Sequence, residues 1–135
     1  MQIIVLEGLS NTGKSTTIGL LYNLLLNNGG TSTNKQPLGN DPKDFSDIII
    51  NYKNLKISIF TMGDNSTAIS QAIQNYNNKN CDFFICSLSS GTPKIRAKKR
   101  INQFINTRIP KTIASQNITQ SQANNNDANT ILNLI

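Results

Sequence analysis

Nine residues constrain this chain more than the rest of it together: Gly8-Leu9-Ser10-Asn11-Thr12-Gly13-Lys14-Ser15-Thr16. They follow the apolar run Ile3-Ile4-Val5-Leu6-Glu7 and open a helical pattern in which Ile18, Leu21, Tyr22 and Leu25 share one face. The order is strand, loop, helix. Gly8 and Gly13 allow backbone turns closed to side chains, so successive N–H groups across Ser10, Asn11, Thr12 and Gly13 converge on an anion at the positive end of the helix dipole. Lys14 then reaches the β- and γ-phosphates of a nucleotide. The Ser15 hydroxyl stands where a Mg²⁺ bridging those phosphates is held, and Thr16 starts the helix proper. This Walker A spacing predicts a nucleotide-phosphate site.

A chain of 135 residues that is 37% hydrophobic can bury one α/β core and is too short for two, so residues 1–135 are expected to form a single domain. No stretch approaches the roughly 20 apolar residues of a membrane span, and the first strand begins at Gln2 without a charged leader. The expectation is a cytoplasmic protein with no membrane contact. The chain has no histidine, which removes every Ser/His and Cys/His catalytic arrangement. Cys81 and Cys86 lie in or beside one apolar run with their side chains on opposite faces, as expected for buried free thiols rather than a disulfide or a zinc site.

Charge is concentrated. Lys94, Arg96, Lys98, Lys99, Arg100, Arg108 and Lys111 fall in one segment that contains no acid, while the remaining six cations face all seven acids of the chain. One cationic segment in an otherwise neutral domain points to one anionic partner at one place.

Along the chain, a first helix over about Lys14 to Leu26 ends at Asn27-Asn28-Gly29-Gly30. Thr31 to Pro42 reads as loop, a connection of the kind that carries mobile segments near substrate, with Asp41 and Asp44 at its end. Asp47 to Asn51 and Lys56 to Thr61 read as a hairpin. Asp64 is the only acid near the end of the second strand, where it either holds Mg²⁺ or a water on the phosphate, or caps the helix Ser66 to Asn77. The apolar run Cys81 to Leu88 is expected to be a strand covered on both faces, followed by the small-residue loop Ser89 to Pro93. A helix over Lys94 to Asn106 would place Arg96 and Arg100 on one flank, where they can lean together over phosphates. Lys111 to Ala114 reads as a short last strand, Asn117 to Asn126 as an exposed polar loop, and Ala128 to Ile135 as a final helix. Strands alternating with helices predict a three-layer α/β domain, with a mainly parallel sheet of about five strands and one antiparallel hairpin member.

Leu6-Glu7-Gly8-Leu9 followed by Gly13-Lys14-Ser15-Thr16 resembles the opening of thymidylate kinases and related nucleoside monophosphate kinases of the P-loop NTPase superfamily, over about the first 25 residues. The aspartate of that family's loop is Ser10 here, the glycine after it is Asn11, and the family's Asp-Arg substrate pair has no counterpart. The resemblance implies ATP and Mg²⁺ binding on Gly8, Gly13, Lys14, Ser15 and Thr16. One expected function is therefore a kinase, with Lys14, Arg96 and Arg100 on the γ-phosphoryl group and a small-molecule acceptor above Asp64 and the Ser89 to Thr92 loop. The alternative is a regulatory or accessory ATPase completed by a partner. A guanine-reading Asn-Lys-x-Asp is absent, since Asn78-Lys79-Asn80-Cys81 places the acid one residue late, which favours ATP over GTP. Nucleic-acid binding through residues 94–111 is the weakest of the three readings, because Phe104 is the only aromatic among the cations and it belongs to an apolar face. The sequence leaves the oligomeric state open.

Overall fold

A computed structural model describes all residues from Met1 to Ile135. In chain order the elements are β1 (Gln2–Gly8), α1 (Lys14–Asn27), β2 (Thr31–Ser32), β3 (Gln36–Pro37), β4 (Phe45–Tyr52), β5 (Leu55–Phe60), α2 (Ser66–Asn78), β6 (Phe83–Ser89), α3 (Ile95–Ile101), β7 (Ile105–Pro110) and α4 (Gln120–Leu132). They form one seven-stranded mixed sheet in the order β2-β4-β5-β6-β1-β7, with β3 paired to the other end of β4. The parallel pairs are β5/β6, β6/β1 and β1/β7, and β4 runs antiparallel to β5, β2 and β3.

The period-two alternation of the strands divides the core. Ile4 and Leu6 of β1, with Ile49, Ile57, Ile59 and Ile85, pack under Ile18, Leu21 and Leu25 of α1 and Ala128 and Ile131 of α4. Ile3 and Val5, with Phe84, Cys86 and Leu88, pack under Ile69 and Ile73 of α2 and Ala97 and Ile101 of α3. Helices therefore cover both faces, and every residue of β6 is buried, as the unbroken apolar run implies. Both cysteines are buried and unpaired; burial pushes the Cys86 thiol up to about 12. No helix is long and apolar enough to cross a membrane.

Several boundaries differ from the sequence reading. The sheet has seven strands rather than about five, because the stretch read as loop from Thr31 to Pro42 contains β2 and β3. The buried Asp47 carboxylate holds them, accepting from the Ser32 and Tyr22 hydroxyls and, at 2.9 Å, from the Asn34 N–H. The hairpin is longer than expected and turns on Lys53-Asn54, both at positive φ as a two-residue type I′ turn requires. Helix α3 stops at Ile101 instead of Asn106. Ile105 is 75% exposed and opens β7, an edge strand that tolerates Pro110 at its end. Lys111 to Ala114 is consequently not a strand. Asn117 to Asn126 is not an exposed loop either, since α4 begins at Gln120. Its start is a capping box in which Thr119 Oγ1 accepts from the Gln122 N–H and Gln122 Oε1 accepts from the Thr119 N–H.

Candidate functional site

The loop between β1 and α1 is fixed from three sides. At its entry the Gly8 carbonyl accepts from the Ser90 N–H at 3.0 Å, and the Glu7 carbonyl accepts from the Lys111 N–H at 2.7 Å, so the ends of β6 and β7 flank it. A Cβ on Gly8 would lie 2.9 Å from Lys111 Cβ, which explains the glycine. At its exit Gly13 adopts φ +92°, and a Cβ there would stand 2.6 Å from both Asn124 Oδ1 and Gln120 Nε2 of α4. Inside the loop, Thr12 Oγ1 donates to the Leu9 carbonyl at 2.7 Å and Lys14 Nζ donates to the same carbonyl at 2.6 Å. From α4, Gln120 donates to the Thr12 carbonyl at 2.9 Å, and Asn124 accepts from Thr17 Oγ1 at 3.2 Å. The polar residues that made this stretch read as low complexity are the back wall of the loop.

In front of the loop lies a cleft of about 140 Å³ with no hydrophobic side chain in its lining. Ser10, Asn11 and Gly13 to Thr16 form one wall; Asp41, Lys43 and Asp44 form the second; Thr61, Gly63 and Asp64, with Ser87 and Ser89 of β6, close the third. Of the residues singled out from sequence, Ser10, Asn11, Gly13, Lys14, Ser15, Thr16 and Asp64 thus meet in one place. Gly8 and Thr12 shape the loop without lining the cleft.

The acid beside Ser15 is Asp44. Its Oδ1 accepts from Ser15 Oγ at 2.9 Å and from Thr61 Oγ1 at 2.8 Å, while Thr61 Oγ1 itself accepts from the Phe45 N–H at 2.9 Å. Thr61 therefore ties the entry of β4 to the exit of β5 and presents Asp44 to the loop. The sequence offers Asp64, near the end of β5, for this role. The neighbours of β1 are in fact β6 and β7, and β6 ends in Ser89 rather than an acid. Asp64 does not cap α2: Asn65 does, accepting from the Ala68 N–H at 2.9 Å, which leaves Asp64 facing the cleft. Ser15, Asp44 and Asp64 line the same cleft, and no group of three or more carboxylates or thiolates comes together there.

Lys14 and Lys43 line the cleft together with Asp41, Asp44 and Asp64. Burial is the main cause that lowers the Lys14 pKa; Asp64 opposes it, and Lys111 and Lys94 add to the lowering. All three lysines are buried. Lys111 is paired with Asp127 at 3.0 Å, and Lys94 donates to Thr92 Oγ1.

Arg96 and Arg100 are not part of this site. They do share a flank of α3, but that flank meets α2. Arg96 donates to Thr67 at 3.4 Å, and Arg100 donates to Ser70 at 3.3 Å and Gln74 at 3.0 Å. Neither lines the cleft. Helix α3 is shorter than its sequence pattern suggested and packs on α2, so it does not arch over the loop. Compared with protein-family models, curated proteins and solved structures, the chain matches none of them.

Proposed function

We propose that the cleft binds the polyphosphate of ATP together with Mg²⁺, that the domain is of the P-loop NTPase kind, and that it is a regulatory or accessory ATPase completed by a partner. The observation that carries this reading is the conjunction at the start of α1. Gly13 at φ +92° aims the first helical amides into a wholly polar cleft, Lys14 waits on the Leu9 carbonyl, and Ser15 meets a carboxylate brought from 29 residues away. On arrival of a polyphosphate, Lys14 exchanges a bond to a neutral carbonyl for an ion pair with phosphate. The backbone amides of Asn11 to Ser15 and the Lys14 ammonium hold the oxygens on which charge accumulates during transfer. Ser15 and Asp44 would hold the Mg²⁺, with Asp64 near, and the ion supplies neutralisation of the bridging phosphate oxygens.

The accessory reading is favoured over the kinase reading by one placement. Lys14 and Lys43 are the only cations lining the cleft, and Arg96 and Arg100 are both engaged on α2. An arginine that completes the charge clamp would then come from another chain. The kinase reading, with a small-molecule acceptor above Asp64, requires Arg96 and Arg100 to leave their α2 partners.

Isothermal titration with Mg-ATP tests the binding step. Heat is expected with the native chain and none with Lys14→Ala of unchanged circular dichroism, and equal heats in both overturn the assignment. Incubation with γ-³²P-ATP and a panel of nucleoside monophosphates and sugars separates the two activities. Label released as free phosphate supports the ATPase, and label on an acceptor supports the kinase.

A further inference from the structure

On the outer flank of α1 lies a second concavity of about 400 Å³, continuous with the cleft through Ser15, Thr16 and Lys43. Unlike the cleft it is partly apolar, with Leu20 and Phe45 in its wall. Three features of it bear on what it could hold.

The first is Gly19. A glycine inside a helix destabilises it relative to alanine, and is retained where packing, a left-handed backbone or close approach of another group demands it. Gly19 lies within α1, is not among the residues at positive φ, and a Cβ built on it would meet no atom within 4 Å. Neither packing nor conformation requires it. What its missing side chain does is leave bare helix backbone in the wall of the groove.

The second is Lys35. Its ammonium stands 4.6 Å from the Phe45 ring centroid and 4.9 Å from that of Tyr22, and the two rings meet edge to face at 5.0 Å. The rings position the ammonium without neutralising it, so its N–H donors keep a full charge to offer. The segment that carries Lys35 is tied down, because Asp47 accepts from Ser32, from the Asn34 N–H and from the Tyr22 hydroxyl.

The third is charge balance. Lys35 and Lys43 both line the groove, neither forms an ion pair, and no acid is among the lining residues.

We propose that this groove binds a small planar organic anion, an aromatic ring carrying a sulfonate, carboxylate or phosphate. The ring lies against the bare backbone at Gly19 and against Leu20, and the anion sits between Lys35 and Lys43. Ser15, Thr16 and Lys43 line both the groove and the phosphate cleft, whereas Gly19 and Lys35 line the groove alone, so the two assignments are separated at Gly19 and Lys35.

The probe is 1-anilinonaphthalene-8-sulfonate, followed by its fluorescence on the full chain. Saturable binding at one site is expected, weakened about tenfold by Lys35→Gln and by Lys43→Gln, each of which removes one charge-assisted contact. Gly19→Leu fills the groove and is expected to abolish the signal while leaving the heat of Mg-ATP binding unchanged. Gly19→Ala controls for the fold: it should melt at or above the native temperature. Lys14→Ala, which removes the nucleotide, should leave the probe bound, so the two sites fail separately. The uncharged analogue N-phenyl-1-naphthylamine should bind at least tenfold more weakly than the sulfonate. Equal binding of the two probes, non-saturating fluorescence, or a signal indifferent to both Gly19→Leu and Lys35→Gln overturns the proposal.

Discussion

Asp127→Ala is expected to be the costliest single polar substitution in the chain, and the expectation follows from three contacts. Asp127 Oδ2 lies 3.0 Å from Lys111 Nζ and accepts from the Thr112 N–H at 2.8 Å, and Oδ1 accepts from the Thr112 hydroxyl at 2.6 Å. The Lys111 side chain is 0% exposed, so the ammonium cannot turn to water when the carboxylate goes. Breaking a buried pair by removing one partner costs about 3–5 kcal/mol, against about 0–1 for an exposed pair. Unfolding entropy scales at about 2.1 cal/mol/K per residue, or about 0.28 kcal/mol/K for this chain, so the melting temperature should fall by roughly 10–18 °C. Thermal and urea unfolding followed by circular dichroism at pH 7 measure both quantities. The double variant Lys111→Met with Asp127→Leu should recover part of the loss, short by about 1–3 kcal/mol for the Thr112 N–H, hydroxyl and carbonyl that lose their partners. A single-variant loss below about 1 kcal/mol, or a double variant as unstable as the sum of the two singles, would refute the reasoning.

Three further outcomes are expected. Asp44→Asn should raise the Mg²⁺ concentration needed for nucleotide binding by about 10–100-fold with a stability change below about 1 kcal/mol, because the amide oxygen still accepts from Ser15 and Thr61; magnesium titrations at fixed ATP read the first and melting the second. Burial pushes the Asp47 carboxyl up, but hydrogen bonds from Ser32, Asn34, Tyr22 and Ile48 outweigh it and hold the group below its ordinary 3.8, so its stabilisation is full above that value and is lost as pH falls through the depressed one. Asp47→Asn should therefore be about 2–3 kcal/mol less stable than the native chain at pH 7, the gap closing in acid-unfolding profiles as pH falls below 3.8. Lys14, lowered chiefly by burial from 10.5, works in the opposite sense: its penalty is fully present below the folded value and fades as pH rises toward 10.5, so Lys14→Met should melt above the native chain at pH 7 and match it near pH 10.

What the sequence disclosed was chemistry that is local in the chain. Nine consecutive residues carry the loop because its turns and its cations need fixed residue types at fixed spacing, and the seven apolar or small residues of β6 are legible because burial on both faces leaves no room for polar side chains. The helical wheel also gave the common flank of Arg96 and Arg100 correctly; which neighbour that flank meets is decided by α2, and no periodicity within α3 encodes it. Asp44 was illegible for the same reason. It reaches Ser15 only because β4 joins the sheet beyond β5 and Thr61 steers the connection, a relation across 29 residues. The capping box Thr119 to Gln122 was present in the sequence, but the buried stripe behind it contains Asn124 and Asp127, so α4 carries too weak an apolar signal to outweigh its asparagines.

Those buried polar residues of α4 have a common explanation in the charge around the loop. Lys14, Lys94 and Lys111 are all withdrawn from water at the carboxyl end of the sheet, in a chain that already carries a net charge of +6. Burying like charges together opposes folding unless counter-charge is near, and Lys111 alone of the three has a carboxylate within 4 Å. Lys14 and Lys94 are held by neutral oxygens, from Leu9 and Thr92. Burying an ammonium without a paired carboxylate, as at Lys14 and Lys94, adds nothing to the stability of the fold. Their retention, together with a glycine at φ +92° that aims amides the same way, makes sense if the missing counter-charge arrives with a ligand. On that view Asp127 neutralises the one lysine that backs the loop, leaving Lys14 unpaired for the phosphates and making α4 an integral part of the site.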